Sequence, residues 1–433
     1  MGIFITMPII TTKILGITIS IFSLSFTLFT AALIINVLQV KIIYKLGKSA
    51  FMYGTWLFIG ILSSLFGLLY FQGLPEWEQS ISNYIPRIIL YLFLLVLLSI
   101  FPKKEDVIHS FFKGFLLGCI LNIIWSVVEG VTYYTLGFSL SNKLFSSYIS
   151  NLSLERQFSS IINSGGIRVA GFNTDPAHLG GIIPIIFLYS VIKRKYILLV
   201  LCVGALAFSQ STTALACCLI LLILNRKKIF SKIKIKINLK GSFLILTSLI
   251  IFSISFLAFK DSHLIESIYQ NFSNFFKRIN EHYINNNGSS SNLRAYYLMY
   301  LPMAIFSSGI KVVTGVGFGV SSYPYVLNNK ILTSVNGLEA FPYDPENNYI
   351  SYLFNTGIIG VVLYTYVLYK NYVYYNKRFH EKDNCLILAS VGSIIFSGFF
   401  YHYILTAYQV LIIIMASILM DSEREKERIF ISK

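Results

Sequence analysis

The chain has 433 residues, of which 55% are hydrophobic and only 12% are charged, and its formal net charge is +16. A soluble globular domain usually carries about 25% charged residues, so this composition excludes one. The positive charge does not indicate nucleic-acid binding, because most Lys and Arg residues lie in short clusters between long apolar runs. That is the distribution that the positive-inside rule gives to membrane proteins.

Eleven apolar runs approach the length of about 20 residues that a membrane-spanning helix needs. In chain order they are 14–39, 50–72, 84–101, 107–128, 178–192, 196–209, 211–225, 241–259, 348–369, 384–401 and 403–420. The polar residues Ser209 to Thr213 separate two short runs and predict a tight turn. The sequence therefore predicts an all-α polytopic membrane protein with about eleven transmembrane helices, within a range of ten to twelve.

The basic clusters predict the orientation. With eleven crossings, the clusters after the odd-numbered runs and the basic carboxyl-terminal tail share one side, which is then cytoplasmic. The amino terminus is then expected outside, unless the first run contains a second crossing, which would move it inside. We expect a single integral membrane domain over 1–433 with two large external loops, 129–177 and 260–347. The second is expected to be partly helical, because 294–307 is apolar on much of its surface.

No metal or cofactor site is expected from the sequence. The five cysteines lie in or beside apolar runs without the spacing of metal ligands, so we expect them to be packing residues. They are Cys119, Cys202, Cys217, Cys218 and Cys385.

The first candidate motif ends the first external loop. Asp175 suits a helix N-cap and Pro176 suits the first helical position. Arg168 has no acidic residue shortly before it, and an unpaired guanidinium at the outer leaflet is a good phosphate ligand. An ordinary salt bridge or a snorkelling side chain is the alternative. We include Asp175 and His178 as candidate substrate-binding residues.

The second external loop contains another arginine, Arg294, followed by three alternating glycines. Gly315, Gly317 and Gly319 permit sharp turns and close backbone approach, although an ordinary loop would also use them. Their spacing is not that of a dinucleotide-binding fingerprint. We include Arg294 as a catalytic candidate, and Gly315 and Gly317 as substrate-binding candidates.

The third motif is Asp344-Pro345-Glu346-Asn347-Asn348, in which Asp-Pro is expected to begin the next helix. Glu346 is the best-placed external carboxylate for general-base work on a sugar hydroxyl. Alternatively, it is a first-turn acid that complements the helix dipole. The positive end of the helix would also lower its basicity, which favours an orienting role. Asn347 and Asn348 are further substrate-binding candidates.

In their order along roughly residues 160–420, these motifs resemble the Wzy-type O-antigen polymerases, within the superfamily that includes the O-antigen ligases. The matching residues are Arg168, Gly171, Asp175 and Pro176, then Ser209 to Thr213, Arg294, the three glycines, Asn347 to Ile350, and Gly357 with Gly360. Two positions depart from the family pattern. Thr212 follows Ser211 where family members often carry arginine, and Asn347 stands where the ligase branch has histidine. The second departure favours a polymerase.

The resemblance implies an inverting glycosyltransferase, with Arg168 and Arg294 at the family's arginine positions. From the residues themselves we add Glu346 as the third catalytic candidate and expect no metal or cofactor. It would transfer a growing O-antigen or capsular glycan from undecaprenyl diphosphate to a new lipid-linked repeat unit, as part of lipopolysaccharide biosynthesis. The implied location is the bacterial inner membrane, with a periplasmic active site. The implied partners are donor, acceptor, membrane lipid and a chain-length regulator protein, with no nucleic acid.

Two alternatives remain. One is an O-antigen ligase of the same fold. The other is a flippase for lipid-linked oligosaccharides, for which charged residues inside several helices and short external loops are expected. The predicted helices are nearly free of charge and the predicted loops are long, which favours an enzyme.

Overall fold

The computed structural model describes residues 1–6, 11–14, 17–39, 46–70, 84–145, 169–173, 176–209, 211–231, 309–318, 347–381, 384–399 and 406–431. The chain divides into two compact units. Unit 1 comprises Met1–Ile5, Ser23–Phe115 and Asn286–Lys433, and unit 2 comprises Thr6–Phe22 and Leu116–Asn285.

Helices dominate the described residues. In chain order they are α1 (Ile21–Gln39), α2 (Lys48–Tyr70), α3 (Ile85–Ile100), α4 (Lys104–Leu136), α5 (Leu140–Phe145), α6 (Pro176–Lys193), α7 (Tyr196–Ser209), α8 (Thr212–Ser231), α9 (Lys311–Thr314), α10 (Asn348–Lys377), α11 (Asn384–Ser397) and α12 (Ala407–Ile431). A 3-10 helix (Phe4–Thr6) and an antiparallel hairpin of β1 (Thr11–Ile14) and β2 (Ile17–Ser20) precede α1, with Thr11 paired to Ser20.

Four of the described helices are long and apolar enough to cross a membrane, namely α1, α2, α4 and α10. Five shorter apolar helices accompany them: α3, α6, α7, α8 and α11. Large apolar side chains such as Leu28, Phe58 and Val362 are exposed on the spanning helices, as expected for faces that contact lipid. The prediction of an α-helical polytopic membrane protein is confirmed.

The helices follow the predicted apolar runs closely. Ten of the eleven runs coincide with described helices, and the run 241–259 lies outside the described residues. The first run was expected to be helical from residue 14, which is wrong, because α1 begins only at Ile21. The residues before it are rich in β-branched Thr and Ile and form the hairpin instead. Helix α4 extends to Leu136, so its last turns overlap the expected start of the external loop at 129.

The amino terminus lies at the basic end of unit 1. Met1 lines a cavity of about 430 Å³ together with Lys103 and Asp106, at the turn between α3 and α4. Burial lowers the pKa of its amino group. Lys103 belongs to the clusters that define the cytoplasmic side, so the expectation of an amino terminus opposite those clusters is wrong. The first apolar run is not one straight crossing, because the hairpin turns the chain before α1 begins.

The core of unit 1 forms where α2 packs against α10, α3 and α12. Trp56 on α2 is fully buried, and its ring centroid lies 5.2 Å from that of Tyr352 and 4.9 Å from that of Tyr364, both on α10. Inclined ring pairs at such distances are favourable beyond the area they bury. In unit 2 the corresponding core is α6 packed against α7 and α8.

Charged residues in the second half of α12 form hydrogen bonds to α2 and α10 outside the apolar core of unit 1. The carboxylate of Asp421 accepts hydrogen bonds from the backbone N–H groups of Ser49 (2.8 Å) and Ala50 (3.0 Å), and so caps the start of α2. Glu423 accepts a hydrogen bond from the hydroxyl of Tyr374 (2.7 Å). Burial raises the pKa of Glu423, although this hydrogen bond opposes the effect.

Candidate functional site

Helix α10 is broken at Gly357, whose φ of 66° and ψ of −176° are not helical. A break there interrupts the hydrogen bonds that the preceding carbonyl groups would make to N–H groups four residues later. Two of those carbonyls are used elsewhere. The N–H of Val316 donates to Phe354 (2.8 Å) and the N–H of Gly317 donates to Asn355 (3.0 Å). The segment 314–318, called the glycine segment below, is therefore bonded to α10 just before the break.

Glycine is required at several positions where the glycine segment contacts α10 and α2. Gly315 (φ 71°, ψ −175°) and Gly357 both occupy a conformation that is essentially restricted to glycine. A Cβ atom on Gly315 would lie 2.6 Å from the backbone nitrogen of Gly357, and one on Gly317 would lie 2.4 Å from the Cα atom of Ser64. The structure thus gives Gly315 and Gly317 a packing role. Their contact with substrate stays a prediction.

Helix α2 holds the other side of the glycine segment. The hydroxyl of Ser63 donates to the carbonyl oxygen of Thr314 (2.5 Å), and the hydroxyl of Ser64 accepts from the N–H of Phe318 (3.2 Å). Phe318 is buried and packs edge-on against Trp56, with 6.3 Å between the ring centroids. The glycine segment is therefore a fixed part of the core of unit 1.

Asn347 is the N-cap of α10. Its side-chain oxygen accepts hydrogen bonds from the N–H groups of Tyr349 (3.0 Å) and Ile350 (3.1 Å), and its amide nitrogen donates to the carbonyl oxygen of Phe399 (3.1 Å). The expectation that Asp344 and its proline begin this helix is wrong, because α10 starts at residue 348. Asparagine is a strong N-cap residue, and it satisfies the free N–H groups of the first turn.

Hydrogen bonds also join the start of α10 to the end of α11. The N–H of Asn348 donates to the carbonyl oxygen of Gly398 (2.8 Å), and the hydroxyl of Tyr349 donates to that of Ile395 (2.8 Å). Asn348 is buried. Glu346 lies outside the described residues, but in sequence it precedes the N-cap. It is therefore not a first-turn residue of α10.

In unit 2, the residues after Arg168 are anchored by an asparagine of α4. The side-chain oxygen of Asn122 accepts hydrogen bonds from the N–H of Phe172 (3.1 Å) and from the side-chain amide of Asn173 (3.4 Å). The N–H of Val169 donates to the carbonyl oxygen of Phe208 (3.1 Å), in the last turn of α7. The structure thus brings the first motif together with the polar break. The sequence reasoning missed Asn122, although a buried amide inside an apolar run was the available signal.

The two helix starts of unit 2 follow the sequence prediction. Helix α6 begins at Pro176, and His178 lies in its first turn with a partly exposed side chain. Ser211 caps α8, because its hydroxyl accepts a hydrogen bond from the N–H of Ala214 (3.2 Å). The remaining candidate site residues lie outside the described part of the chain: Arg168, Asp175, Arg294 and Glu346.

Within the described ranges, no group of three or more His, Cys, Asp or Glu side chains is arranged to hold a metal ion. All five cysteines are free and buried. The described polar contacts that join the glycine segment, the start of α10 and residues 169–173 to neighbouring segments are made by asparagines, serines, a tyrosine and backbone groups.

Part of the chain matches a known family. Residues 197–365 match a family model described as O-antigen ligase. The matched stretch begins in α7 and ends in α10, so it contains the polar break, Arg294, the glycine segment and the capped start of α10. It supports the resemblance to the O-antigen polymerase and ligase superfamily, whose members are enzymes acting on lipid-linked glycans. No curated protein matches the chain.

Proposed function

We propose that this chain, in which residues 197–365 carry the O-antigen ligase family segment, is a polymerase of lipid-linked oligosaccharide repeat units. One observation favours a polymerase over a ligase. Asn347 stands where the ligase branch has histidine, and its amide is engaged in hydrogen bonds to Tyr349, Ile350 and Phe399. A neutral amide cannot accept a proton as a histidine base would.

The proposed reaction is an inverting glycosyl transfer. A hydroxyl of the new lipid-linked repeat attacks the anomeric carbon of the growing glycan, and the bond from that carbon to undecaprenyl diphosphate breaks. The proton of the attacking hydroxyl is released to water. Negative charge develops on the leaving diphosphate, and the guanidinium groups of Arg168 and Arg294 would stabilise it through paired hydrogen bonds without a metal ion.

Glu346 would orient the acceptor hydroxyl in this reaction. The capping of α10 is already supplied by Asn347, so no structural duty at that helix start requires Glu346. A carboxylate next to a helix N-terminus has its charged form favoured, which makes it a weak base but a good hydrogen-bond acceptor. Asp175 and His178 would contact the glycan. Gly315, Gly317, Asn347 and Asn348 would contribute to binding by fixing the backbone around the site.

The function is tested with the purified full-length chain in lipid nanodiscs, supplied with synthetic undecaprenyl-diphosphate-linked repeat units. A polymerase gives a ladder of products that differ by one repeat unit, and a chelator of divalent cations leaves the ladder unchanged. Products that form only when a lipid A core acceptor is added would identify a ligase. Movement of the substrate across the bilayer with no new covalent product would identify a flippase. Either result would overturn the proposal.

The proposed site faces the periplasm of a bacterial inner membrane, so a cysteine at Ser290 in the second loop should react with a membrane-impermeant maleimide. Whole cells with a permeabilised outer membrane are labelled and the protein is then purified. The native cysteines are buried, which keeps the background low. Lys195→Cys is the matched control, because Lys195 is exposed at the α6–α7 turn on the predicted cytoplasmic side. We expect it to react only after lysis. The reverse pattern would contradict the orientation.

A further inference from the structure

A charged cavity of about 310 Å³ lies at the basic end of unit 1, where α2 begins, α3 gives way to α4 and the charged half of α12 starts. We call it the basic pocket. Its charged lining residues are Lys48, Lys104, Asp421, Arg424, Glu425 and Arg428, a net formal charge of +2.

At the basic pocket, the chain changes between apolar and charged residues at the start of α2, after the end of α3 and within α12. The apolar span of α2 begins at Lys48, α3 ends at Ile100, and α12 becomes charged from Asp421 onward. Such a change marks the boundary between hydrocarbon and headgroups in a membrane protein. Four apolar residues also line the pocket, and two of them, Leu46 and Ile429, have exposed side chains. The pocket therefore presents cations beside uncovered apolar surface.

Two of the four cations already have partners inside unit 1. The ammonium group of Lys104 donates to the carbonyl oxygen of Ser99 (3.1 Å), and the guanidinium group of Arg424 lies 4.9 Å from the ring centroid of Tyr374. Lys48 and Arg428, by contrast, are exposed and form no hydrogen bond or ion pair through their side chains with other described residues.

One of the two acids of the basic pocket, Asp421, is engaged by backbone groups. The Asp421 carboxylate is held by the N–H groups of Ser49 and Ala50 at the start of α2. Lys48 is the first residue of α2, where the positive end of the helix dipole disfavours a cation unless an anion is near. An additional anion in the basic pocket would therefore be stabilised by the side chains of Lys48 and Arg428, which the Asp421 carboxylate does not pair.

We propose that the basic pocket binds the phosphate group of an anionic phospholipid, with Lys48 and Arg428 as its ligands. A lipid fits better than a soluble phosphate because the pocket lies at headgroup depth, where the apolar span of α2 begins. The inference does not depend on the proposed glycan transfer.

The test compares two double variants of the full-length chain that lose the same charge. Lys48→Gln with Arg428→Gln removes the proposed ligands. Lys195→Gln with Lys377→Gln removes two exposed cations that do not line the pocket. Native mass spectrometry of detergent-purified protein measures binding of phosphatidylglycerol and of phosphatidylcholine, with inorganic phosphate as a soluble competitor.

We expect wild type and the control variant to prefer phosphatidylglycerol. The pocket variant, which loses two cations worth about 1 kcal/mol each near a membrane surface, should bind it about thirtyfold more weakly. Millimolar inorganic phosphate should not displace the lipid. Equal binding of both lipids by wild type, or equal losses in both variants, would overturn the proposal. Displacement by inorganic phosphate would instead identify a soluble anion site and would also overturn it.

Discussion

Alanine in place of Arg168 or Arg294 is expected to lower polymer formation about 100-fold or more in the nanodisc assay. Each guanidinium group is proposed to hold the diphosphate as its negative charge develops, and loss of one such donor typically costs two to three orders of magnitude in rate. Lysine at either position keeps the charge but loses the paired hydrogen bonds. We expect the lysine variants to retain about a tenth of the wild-type rate.

Two comparisons make this result specific to the arginines. Lys195→Ala removes an exposed cation away from the motifs and should leave the rate unchanged. Glu346→Gln should bind the donor as wild type does but turn over slowly, because it would lose acceptor orientation rather than diphosphate contacts. Full-length polymer from both alanine variants, expressed and folded normally, would show that the arginines are not diphosphate ligands. Wild-type turnover by Glu346→Gln would remove Glu346 from the mechanism.

Alanine at Gly357 is expected to destabilise the protein by about 3 kcal/mol, or to prevent its folding. The backbone conformation at this position costs a non-glycine residue about 1–3 kcal/mol. In addition, the new Cβ atom would lie 2.1 Å from the carbonyl oxygen of Val313, so the glycine segment would have to move. The measurement is the thermal unfolding midpoint of the purified protein, together with the yield of folded protein.

A pair of glycines on α2 provides the matched comparison. A Cβ atom on Gly67 would lie 2.0 Å from the carbonyl oxygen of Val316, whereas one on Gly54 would meet methyl groups of Leu92 and Leu95 at ordinary distances of 3.7–3.8 Å. Gly67→Ala should therefore lower the unfolding midpoint, as Gly357→Ala does. Gly54→Ala should leave it unchanged or raise it, because alanine favours a helix by up to about 1 kcal/mol over glycine. Equal midpoints for the two α2 variants would contradict the close packing of the glycine segment.

The positions of the helices could be predicted from sequence because each apolar run is a local signal. Pro176 at the start of α6 and the polar break after Ser209 are local signals of the same kind. The hairpin before α1 was missed because apolar β-branched residues suit a strand as well as a membrane helix. The N-cap of α10 was assigned to Asp344 rather than Asn347, since both residue types cap helices and only the folded chain selects between them.

The candidate site depended on contacts that are distant in sequence. Asn122 lies 50 residues before Phe172, whose N–H it binds, and no local pattern links the two. The packing role of Gly315 and Gly317 follows from their close contacts with α10 and α2, which the local sequence does not reveal. Sequence reasoning therefore found the motifs but could not separate the residues that fix the backbone from those proposed to touch substrate.

The bonds of the glycine segment to α10 have a consequence for the second loop. The N–H of Val316 donates to the carbonyl oxygen of Phe354. Phe354 lies seven residues, or about 10 Å, along the helix from Asn347, its N-cap. Residues 316 and 347 are thus both hydrogen-bonded to the part of α10 that precedes its break at Gly357. The hydrogen bonds that hold residues 316 and 347 are made with Phe354, Tyr349, Ile350 and Phe399, so the spacing between these two positions is set by α10 and α11 and not by the residues between them.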